Sequence, residues 1–323
     1  MSTYLVTGAA GFIAARVCEL LLAQGHTVVG LDNLNDYYDV RLKEWRLARL
    51  RAQKGFVWRR GDLEDLPTLE GLFAAHKFDA VINLAARAGV RASLEQPELY
   101  RRTNVLGEEH VLQCQVKYGV RKHVLASSSS VYAGCPMPFR EDAELKSAQS
   151  PYAGTKQQAE QLARRWHEEH GLDVSVLRYF TVFGPAGRPD MAPFRFVHWV
   201  ATGHPVRLFG DGSQSRDFTY VDDIAHGTIL AARPLGFDVL NLGGGNRPIT
   251  LNAMIVLLET YLGRKAVIDR RKANPLDMTD TQADITKAGR LLGWTPRVSP
   301  AEGFRKTVDW YLANREWLKD IKL

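Results

Sequence analysis

The sequence predicts an α/β fold, in which a doubly wound parallel sheet is followed by a smaller mixed α/β lobe on its C-terminal side. Short runs rich in β-branched residues alternate with amphipathic stretches through the first half of the 323 residues. This alternation is typical of parallel strands joined by helices that cover both faces of a sheet. A glycine-containing turn between the first run and the first amphipathic stretch supports the same arrangement.

The elements follow from this pattern in chain order. In the first half, strands are expected at residues 3–7, 26–32, 56–60, 79–84, 122–127 and 173–178. The helices between them are expected at residues 12–24, 39–53, 65–75, 98–118 and 151–170. The alternation then loosens in a segment rich in Gly, Pro and Arg, residues 184–216. The later helices are expected at 192–203, 220–232, 251–262, 284–292 and 300–318, and the later strands at 237–242 and 266–270.

Composition narrows the class of protein. The chain is 45% hydrophobic and 24% charged, as in ordinary globular proteins. No run reaches the ~18 apolar residues of a membrane span, and no secretory signal pattern is visible at the N-terminus. Cys18, Cys114 and Cys135 show neither disulfide nor metal-ligand spacing, so no metal is expected and a reducing, cytoplasmic setting is predicted.

The net charge of +6 raises the question of nucleic acid. Arginines concentrate in residues 41–60 and 264–272, but no recognition motif with interleaved aromatic residues accompanies them. We interpret them as a solvated basic face and expect no nucleic-acid partner. A modest positive charge also suits a small substrate with two phosphates.

The turn after the first strand has the pattern of a dinucleotide-binding loop. Gly8-Ala-Ala-Gly11-Phe-Ile-Ala14 opens the first helix, where small residues allow a tight turn and close approach of a pyrophosphate. Asp32 ends the second strand, 24 residues after Gly8. A carboxylate there accepts hydrogen bonds from a ribose 2′-OH and repels a 2′-phosphate, which favours NAD over NADP. The sheet is therefore predicted to be of the Rossmann type.

Two later segments fit the same cofactor site. Asp62, in Gly61-Asp62-Leu63 after the third strand, is placed to meet an adenine amine. The fourth strand ends in Asn83-Leu-Ala-Ala86, whose small residues allow the backbone to approach a cofactor. Residues 1–180, with about 217–246, are accordingly predicted to form the NAD-binding domain, and 181–216 with 247–323 the smaller substrate-binding lobe.

Tyr152 and Lys156 are the strongest candidates for chemistry. Ser150 and Pro151 suit the N-cap and the first position of a helix, so the pair should share one face of its first turns. A lysine ammonium near a phenol favours the phenolate and is expected to lower the tyrosine pKa. With a hydroxyl from the serine run Ser127–Ser130, the pair would transfer protons near neutral pH.

Taken in order, these residues resemble the extended short-chain dehydrogenase/reductase family, in its nucleotide-sugar epimerase and dehydratase branch, over nearly the whole chain. The resemblance implies that Tyr152 is the general base, that Lys156 binds the nicotinamide ribose and that Ser128 binds the reacting oxygen. The cofactor residues that it implies are Gly8, Gly11, Phe12, Ile13, Asp32, Asn33, Asp62, Leu63, Leu84, Ala85, Ala86, Asn104, Tyr152, Lys156 and Tyr179. Ala14 replaces the usual third glycine, and retained NAD binding with slightly altered loop geometry is expected.

The implied reaction begins with oxidation of a sugar at C4. Related dehydratases carry Asp-Glu after the catalytic hydroxyl, and related decarboxylases carry a nearby Glu, whereas this chain has Ser129 and Ser130. Hydroxyls with pKa values far above 7 do not replace carboxyls as acid–base groups. The 4-keto intermediate is therefore expected to turn over and be reduced again, which gives the C4 epimer.

The substrate group follows from further motifs. Leu34–Tyr38, Ala88–Arg91 and Thr181–Pro185 with Gly187–Met191 resemble the UDP-glucuronate 4-epimerases of that family. The resemblance implies epimerisation of UDP-glucuronate to UDP-galacturonate, with substrate contacts from Arg91, Ser128, Ser129, Ser130, Thr181, Arg188, Arg207, Phe209, Arg216 and Asp277. Arg87 departs from the glutamine usual in this group.

The guanidinium of Arg188 suits a uronate substrate, since a guanidinium binds a carboxylate through two parallel hydrogen bonds. Oxidation at C4 of a glucuronate makes a β-keto acid, which loses CO₂ fastest when its carboxylate stands perpendicular to the ketone plane. We hypothesise that Arg188, Thr181 and the serines hold the carboxylate away from that orientation.

Alternatives remain within and outside the enzymes. A UDP-glucose or UDP-N-acetylglucosamine 4-epimerase is the next candidate, followed by a UDP-glucuronate decarboxylase. A non-catalytic NAD-binding relative is disfavoured because such proteins commonly lack the tyrosine or the lysine. Relatives often dimerise through two helices, so a homodimer through 98–118 and 151–170 is expected.

Overall fold

A computed structural model describes residues 1–245, 248–273 and 278–323. Its strands, in chain order, are β1 (Thr3–Thr7), β2 (Thr27–Asp32), β3 (Phe56–Arg60), β4 (Ala80–Asn83), β5 (Lys122–Ser128), β6 (Asp173–Tyr179), β7 (Thr181–Phe183), β8 (Val206–Phe209), β9 (Ser215–Arg216), β10 (Phe218–Tyr220), β11 (Phe237–Leu242), β12 (Ile249–Thr250) and β13 (Ile268–Arg271).

The helices alternate with these strands. They are α1 (Phe12–Ala23), α2 (Val40–Arg51), α3 (Leu66–Ala75), α4 (Val90–Glu95), α5 (Pro97–Arg101), α6 (Gly107–Tyr118), α7 (Pro151–His170), α8 (Ala192–Thr202), α9 (Val221–Leu230), α10 (Leu251–Leu262), α11 (Thr286–Leu292), α12 (Pro300–Ala313) and α13 (Arg315–Leu318).

Seven of the described strands form one parallel sheet in the order β3-β2-β1-β4-β5-β6-β11. Strands β2 and β4 flank β1, where Thr7 aligns with both Leu31 and Asn83. The strand order reverses at that point, which opens a crevice at the carboxyl ends of the strands, where α/β sheets bind ligands. The predicted Rossmann-type sheet is therefore confirmed.

Apolar side chains bury both faces of the sheet. On one face α1 and α9 pack around Val17, Leu21 and Ile224, and on the other α3 and α6 pack around Leu69 and Val111. The alternating faces of β1 serve both cores, as expected for a strand that is covered by helices on both sides.

The C-terminal part adds a lobe with its own core. Helices α8, α10 and α12 pack Val197, Leu258 and Phe304 together, beside three two-stranded sheets: β7 with β10, β8 with β13, and β9 with β12. The residue ranges predicted for the two domains stay a prediction, and Trp294, from the predicted lobe range, packs within the core around α1 and α9.

Two predictions of local structure were wrong in part, and some short elements were not predicted. The helix expected at 98–118 is interrupted, because Arg102–Leu106 forms a π-helical turn between α5 and α6. The helix expected at 300–318 ends at Ala313, and α13 begins after Asn314. Helix α4 and several two- or three-residue strands were not predicted, since such short elements leave little periodicity to detect.

The described helices include none that is both long enough and apolar enough to cross a membrane.

Candidate functional site

A cavity of about 830 Å³ opens at the carboxyl ends of the strands, between the sheet and the lobe. Nearly all residues singled out from the sequence line it. On the predicted cofactor side these are Gly8, Gly11, Phe12, Ile13, Asp32, Asn33, Asp62, Leu63, Leu84, Ala85, Ala86, Lys156 and Tyr179. On the predicted substrate side they are Arg91, Ser128, Ser129, Ser130, Tyr152, Thr181, Arg188, Arg207, Phe209 and Arg216.

One predicted residue, Asn104, lies behind the cavity wall rather than in it. Asp277 lies outside the described residues. Asn104 accepts a hydrogen bond from the Arg87 amide at 2.8 Å and donates to the Arg87 carbonyl at 2.9 Å and to Thr155 at 3.0 Å. The π-helical turn places this amide against α7, so Asn104 fixes the wall rather than touching the cavity.

The glycine loop is built for close approach. Gly8 has a φ of 67°, and a Cβ there would lie 2.9 Å from the Ala85 Cα. A Cβ at Gly11 would lie 2.8 Å from the Gly8 carbonyl oxygen. No side chain in the described part of the chain caps the first turn of α1, so its N–H groups face the cavity at the positive end of the helix dipole. The loop therefore fits a pyrophosphate.

Asp32 and Asp62 stand beside this loop. Asp32 Oδ2 accepts from the Ala10 amide at 3.1 Å, and Oδ1 accepts from the Leu34 amide at 2.8 Å. Asp62 accepts from the Asn33 side-chain amide at 2.7 Å. Backbone amides fix the Asp32 carboxylate, and the Asn33 side chain fixes that of Asp62, so both lie at the cavity edge, as a ribose and an adenine site require.

Hydrogen bonds to Thr7 fix the backbone of the small residues that follow β4. Thr7 accepts hydrogen bonds from the amides of Leu84 and Ala85, at 3.1 and 3.0 Å, and donates to Asn83. Asn83 in turn donates to the buried Glu108. This chain of bonds pins the backbone where a cofactor would lie.

Tyr152 lies in the first turn of α7, with Ser150 as N-cap accepting from the Ala153 amide at 3.2 Å, as predicted. Its phenol is hydrogen-bonded to Ser128. Ser128 accepts from the Ser130 amide at 3.2 Å and from the Ser130 hydroxyl at 3.0 Å. With its lone pairs occupied in this way, the Ser128 hydroxyl is oriented to donate towards Tyr152.

The predicted effect on the Tyr152 pKa was wrong. Burial raises the pKa of Tyr152 above its ordinary value, and the Ser128 hydrogen bond and the charge of Arg188 oppose that rise. Lys156 is only 4% exposed and donates to the Ala126 carbonyl at 2.7 Å. Burial lowers the pKa of Lys156 to about 8, against the opposing charges of Glu108 and Glu160.

Arg188 forms a bidentate ion pair with Asp190, at 3.0 Å from Nε and 2.6 Å from Nη2. Its guanidinium also lies 5.5 Å from the centre of the Tyr37 ring. Nη2 makes a further long bond of 3.4 Å to the Ala88 carbonyl. Burial opposes the charge, but Asp190 raises the pKa of Arg188 above its ordinary value. Nη1 has no partner among the described residues, which leaves two donors for a ligand.

The far end of the cavity carries the remaining predicted substrate residues. Arg91 stacks over the Phe209 ring, with 4.3 Å between the guanidinium carbon and the ring centre. Arg216 donates to the carbonyls of Ser215 and Thr279, at 2.8 and 3.1 Å. Arg207 on β8 is exposed at the rim. A flat aromatic ring beside several arginines suits a base and its diphosphate.

Sequence reasoning missed several lining residues, and one interpretation was wrong in part. Lys43 and Arg46, in the segment read as a solvated basic face, are buried, and burial lowers the pKa of Lys43 to about 8. Of the missed residues, Lys43 and Arg195 line the cavity, and the Arg195 Nε is buried without a partner in the described ranges. The position of Arg195 between Phe194 and Phe196 could have indicated a cation on an apolar helix face.

The charges of the cavity favour an anionic ligand. Its described basic residues are Lys43, Arg87, Arg91, Lys156, Arg188, Arg195, Arg207 and Arg216, and its described acidic residues are Asp32, Asp62, Glu95 and Asp190. Because the basic residues predominate around the lobe, the cavity attracts ligands with phosphate and carboxylate groups.

The comparisons with known proteins agree with this geometry. Residues 4–243 match the family described as "NAD dependent epimerase/dehydratase family". The chain is 50% identical to the UDP-glucuronate 4-epimerase of Thermodesulfobacterium geofontis over 323 residues, which is 100% of both chains. It is 35% identical to Protein CapI of Staphylococcus aureus, over 95% of this chain and 98% of that protein.

Solved structures are similar over the same length. The UDP-glucuronic acid 4-epimerase of Bacillus cereus, in complex with UDP-glucuronic acid and NAD, has a TM-score of 0.91 and 33% identity, over 97% of this chain and 99% of that one. The UDP-glucose 4-epimerase of Thermotoga maritima, with UDP-glucose, has a TM-score of 0.89 and 30% identity, with the same coverage. The chain belongs to the NAD dependent epimerase/dehydratase family.

Proposed function

We propose that this protein is a UDP-glucuronate 4-epimerase, which interconverts UDP-glucuronate and UDP-galacturonate through a transient 4-keto sugar. One observation carries the assignment beyond the family: Arg188 presents a forked cation, whose Nη1 has no partner in the described part of the chain, in the same cavity as the Tyr152–Ser128 pair. A uronate carboxylate needs such a partner, and a neutral hexose does not. The relatives from T. geofontis and B. cereus, named for the same activity, support the proposal.

The cofactor site fits NAD by the same reasoning. Gly8 and Gly11 leave room for the pyrophosphate at the start of α1, and Asp32 is placed for a ribose 2′-OH. When bound there, NAD⁺ would supply a reversible hydride acceptor for C4 of the sugar. Asn33, Asp62 and the backbone of Leu84 and Ala85 would hold the adenine and ribose portions.

The chain's own residues then manage the proton at the sugar 4-oxygen. Tyr152 takes the proton, and the oriented Ser128 hydroxyl donates to the oxygen as it changes between hydroxyl and ketone. Lys156, anchored by the Ala126 carbonyl, brings a positive charge to the same wall. A substrate that displaces water from this wall would strengthen each of these interactions.

Competing chemistry lacks its groups. Elimination of water needs carboxyl groups at the two positions after Ser128, but serines, Ser129 and Ser130, occupy those positions. Of the four acidic side chains that line the described cavity, three are held by hydrogen bonds within the protein: Asp32 by backbone amides, Asp62 by Asn33 and Asp190 by Arg188. The intermediate is therefore left to rotate and be reduced again.

The uronate carries its own hazard, because its 4-keto form is a β-keto acid. Thr181, on β7, lines the cavity with Arg188 and the serines. We expect these side chains to hold the carboxylate near the ketone plane, where the bond to CO₂ is slow to break. Replacing Thr181 with alanine should raise the share of pentose product, and a Thr181→Ala variant that epimerises without any added pentose would argue against this role.

A substrate comparison tests the function. Purified protein with NAD⁺ should convert UDP-glucuronate with a much higher kcat/KM than UDP-glucose or UDP-N-acetylglucosamine. Faster turnover of a neutral UDP-hexose would point to the alternative 4-epimerase, and dominant CO₂ release would point to a decarboxylase. Bound NAD without turnover of any of the three would indicate a non-catalytic relative.

A homodimer through α6 and α7 is part of the proposal. Leu162 and Trp166 on α7 are only half-buried in the single chain, and Val116 and Tyr118 on α6 are exposed. Light scattering should give the mass of two chains, and Leu162→Glu should shift it towards one. The cytoplasmic setting stays a prediction. All three cysteines are free thiols, which is compatible with a reducing compartment.

A further inference from the structure

Arg46, on α2, is a buried cation that does not line the described cavity. Only 3% of it is exposed. It donates to the Ala186 carbonyl from Nε at 3.0 Å and from Nη2 at 2.6 Å, and to the Gly187 carbonyl at 3.3 Å. Nη1 donates to the Ala10 carbonyl at 3.0 Å and to the Tyr38 hydroxyl at 2.8 Å. Within the described ranges no carboxylate forms an ion pair with it.

These bonds join the two halves of the site. Ala10 lies inside the glycine loop, and its amide is already held by Asp32 at 3.1 Å. Ala186 and Gly187 immediately precede Arg188. One guanidinium therefore connects the peptide group at the start of the cofactor site to the two carbonyls that lead into the carboxylate-binding arginine.

The backbone conformation of the loop before Arg188 requires stabilising contacts from outside the loop. Gly184 has a φ of 151°, and Ala186 has a φ of 54°, in the left-handed region that residues with a Cβ rarely occupy. The chain does not favour this path by itself, so its carbonyls must be held in place. A planar guanidinium with five donors holds several carbonyls at once, which a lysine ammonium on a flexible stem does poorly.

We infer that Arg46 is a positioning residue for Arg188, which fastens residues 184–188 to the glycine loop and thereby keeps the carboxylate of the keto intermediate away from the orientation that loses CO₂. This inference rests on the proposed function. Arg46 acts through Arg188 and the loop carbonyls and touches no ligand itself. The carboxylate clamp is thus set by a residue outside the cavity.

The reaction that Arg46 suppresses is defined by its bonds. In the 4-keto acid the C5–C6 bond breaks and C6 leaves as CO₂. The electron pair passes into the C4 carbonyl as an enolate, and a proton adds at C5. The product would be a UDP-4-keto-pentose. Each such event would give one keto-pentose, one CO₂ and one reduced nicotinamide, because no hydride has been returned to the sugar.

Two variants and a matched control test this. Arg46→Met removes the guanidinium, Arg46→Lys keeps the charge and loses the fork, and Arg49→Met makes the same change at an exposed site on the same helix. With labelled UDP-glucuronate, the ratio of CO₂ to UDP-galacturonate should rise about tenfold in Arg46→Met, as expected when a reacting group is misplaced. Arg46→Lys should give an intermediate rise, and Arg49→Met should match the wild type.

The thermal midpoint and the NAD content of each purified variant separate positioning from misfolding. If Arg46→Met does not fold, Arg46→Lys decides the question. A folded Arg46→Lys or Arg46→Met protein with the wild-type ratio of CO₂ to epimer would overturn the inference. If the wild-type protein itself makes no UDP-galacturonate, the proposed function fails instead, and this outcome is distinct because it needs no variant.

Discussion

Arg188 and Asp190 form a two-point ion pair inside the cavity, with Nε 3.0 Å from Oδ1 and Nη2 2.6 Å from Oδ2. Because Asp190 occupies the Nε–Nη2 edge of the guanidinium, we expect a ligand to bind at the Nη1 end. The pair therefore orients the arginine before substrate arrives, so the cost of ordering its side chain falls on folding rather than on binding.

Arg188→Lys should lower kcat/KM for UDP-glucuronate by about 10- to 100-fold, since hydrogen bonds to charged groups contribute ~1.5–3 kcal/mol each. The charge is retained, but the fork that holds the carboxylate is lost. The share of pentose product should rise at the same time. Steady-state kinetics with product analysis would check both effects, with Arg305→Lys on the exposed face of α12 as the control. Unchanged kinetics would remove Arg188 from the substrate site.

Ser128→Ala should shift the acidic limb of the profile of kcat/KM against pH to higher pH. The Ser128 hydrogen bond lowers the pKa of Tyr152 against the rise caused by burial, so its loss leaves that pKa higher. The phenolate then forms only at higher pH, and activity at neutral pH should fall ~10²-fold or more. Ser130→Ala, which removes one bond to Ser128, should cause a smaller shift in the same direction. A shift to lower pH would contradict the assignment of Tyr152 as base.

Glu160→Gln should lower the free energy of unfolding by ~3–5 kcal/mol, because it leaves a buried charge without its partner. Glu160 Oε2 lies 2.7 Å from the Arg178 guanidinium, and Ser127 also donates to this carboxylate. Denaturant unfolding would measure the loss. Glu168→Gln, at an exposed position of the same helix, should change stability little. Equal effects of the two changes would show that the buried pair contributes no more than a surface charge.

Asp217 should make stability depend on pH. It is 2% exposed, and burial raises its pKa to about 6, against the hydrogen bonds it accepts from backbone amides. An acid whose folded-state pKa is raised loses stability as the pH rises from about 4 to about 6, and the loss is complete above that range. A shift of about two pKa units corresponds to roughly 3 kcal/mol.

Comparison with Asp217→Asn isolates this effect. The difference in unfolding free energy between wild type and Asp217→Asn should change by roughly 3 kcal/mol between pH 4 and pH 7, in the direction that favours the variant at the higher pH. Asp309→Asn, at an exposed position of α12, is the control for replacing an aspartate and should change the unfolding free energy little. A difference for Asp217→Asn that does not change with pH would contradict the raised pKa of Asp217.

The sheet and the reactive pair were predictable because local signals mark them. Ser150 and Pro151 place the start of α7, and the helical spacing then puts Tyr152 and Lys156 on one face. The glycine loop was predictable because the tight turn between the first strand and the first helix requires small residues. Asp32 was predictable from its position at the end of the second strand, after that loop. Such features depend on a few neighbouring residues, so a single sequence contains them.

Other features depend on what packs against a residue. The π-helical turn that presents Asn104 arises from contacts of α5 and α6 with α7, and the helical pattern continues through it without interruption. Arg46 has the same identity as exposed arginines in its helix, and only the carbonyls of Ala10 and Ala186 distinguish it. The rise in the Tyr152 pKa likewise comes from burial, which spacing along the chain does not express.

Isotope labelling tests the central claim most directly. The proposal is that C4 loses a hydride and then receives the same hydride back, while the sugar keeps its carboxylate. UDP-glucuronate with deuterium at C4 should therefore yield UDP-galacturonate that retains the deuterium at C4, with little pentose. Product that has exchanged this deuterium for solvent hydrogen, or no UDP-galacturonate from protein that has bound NAD, would contradict the account.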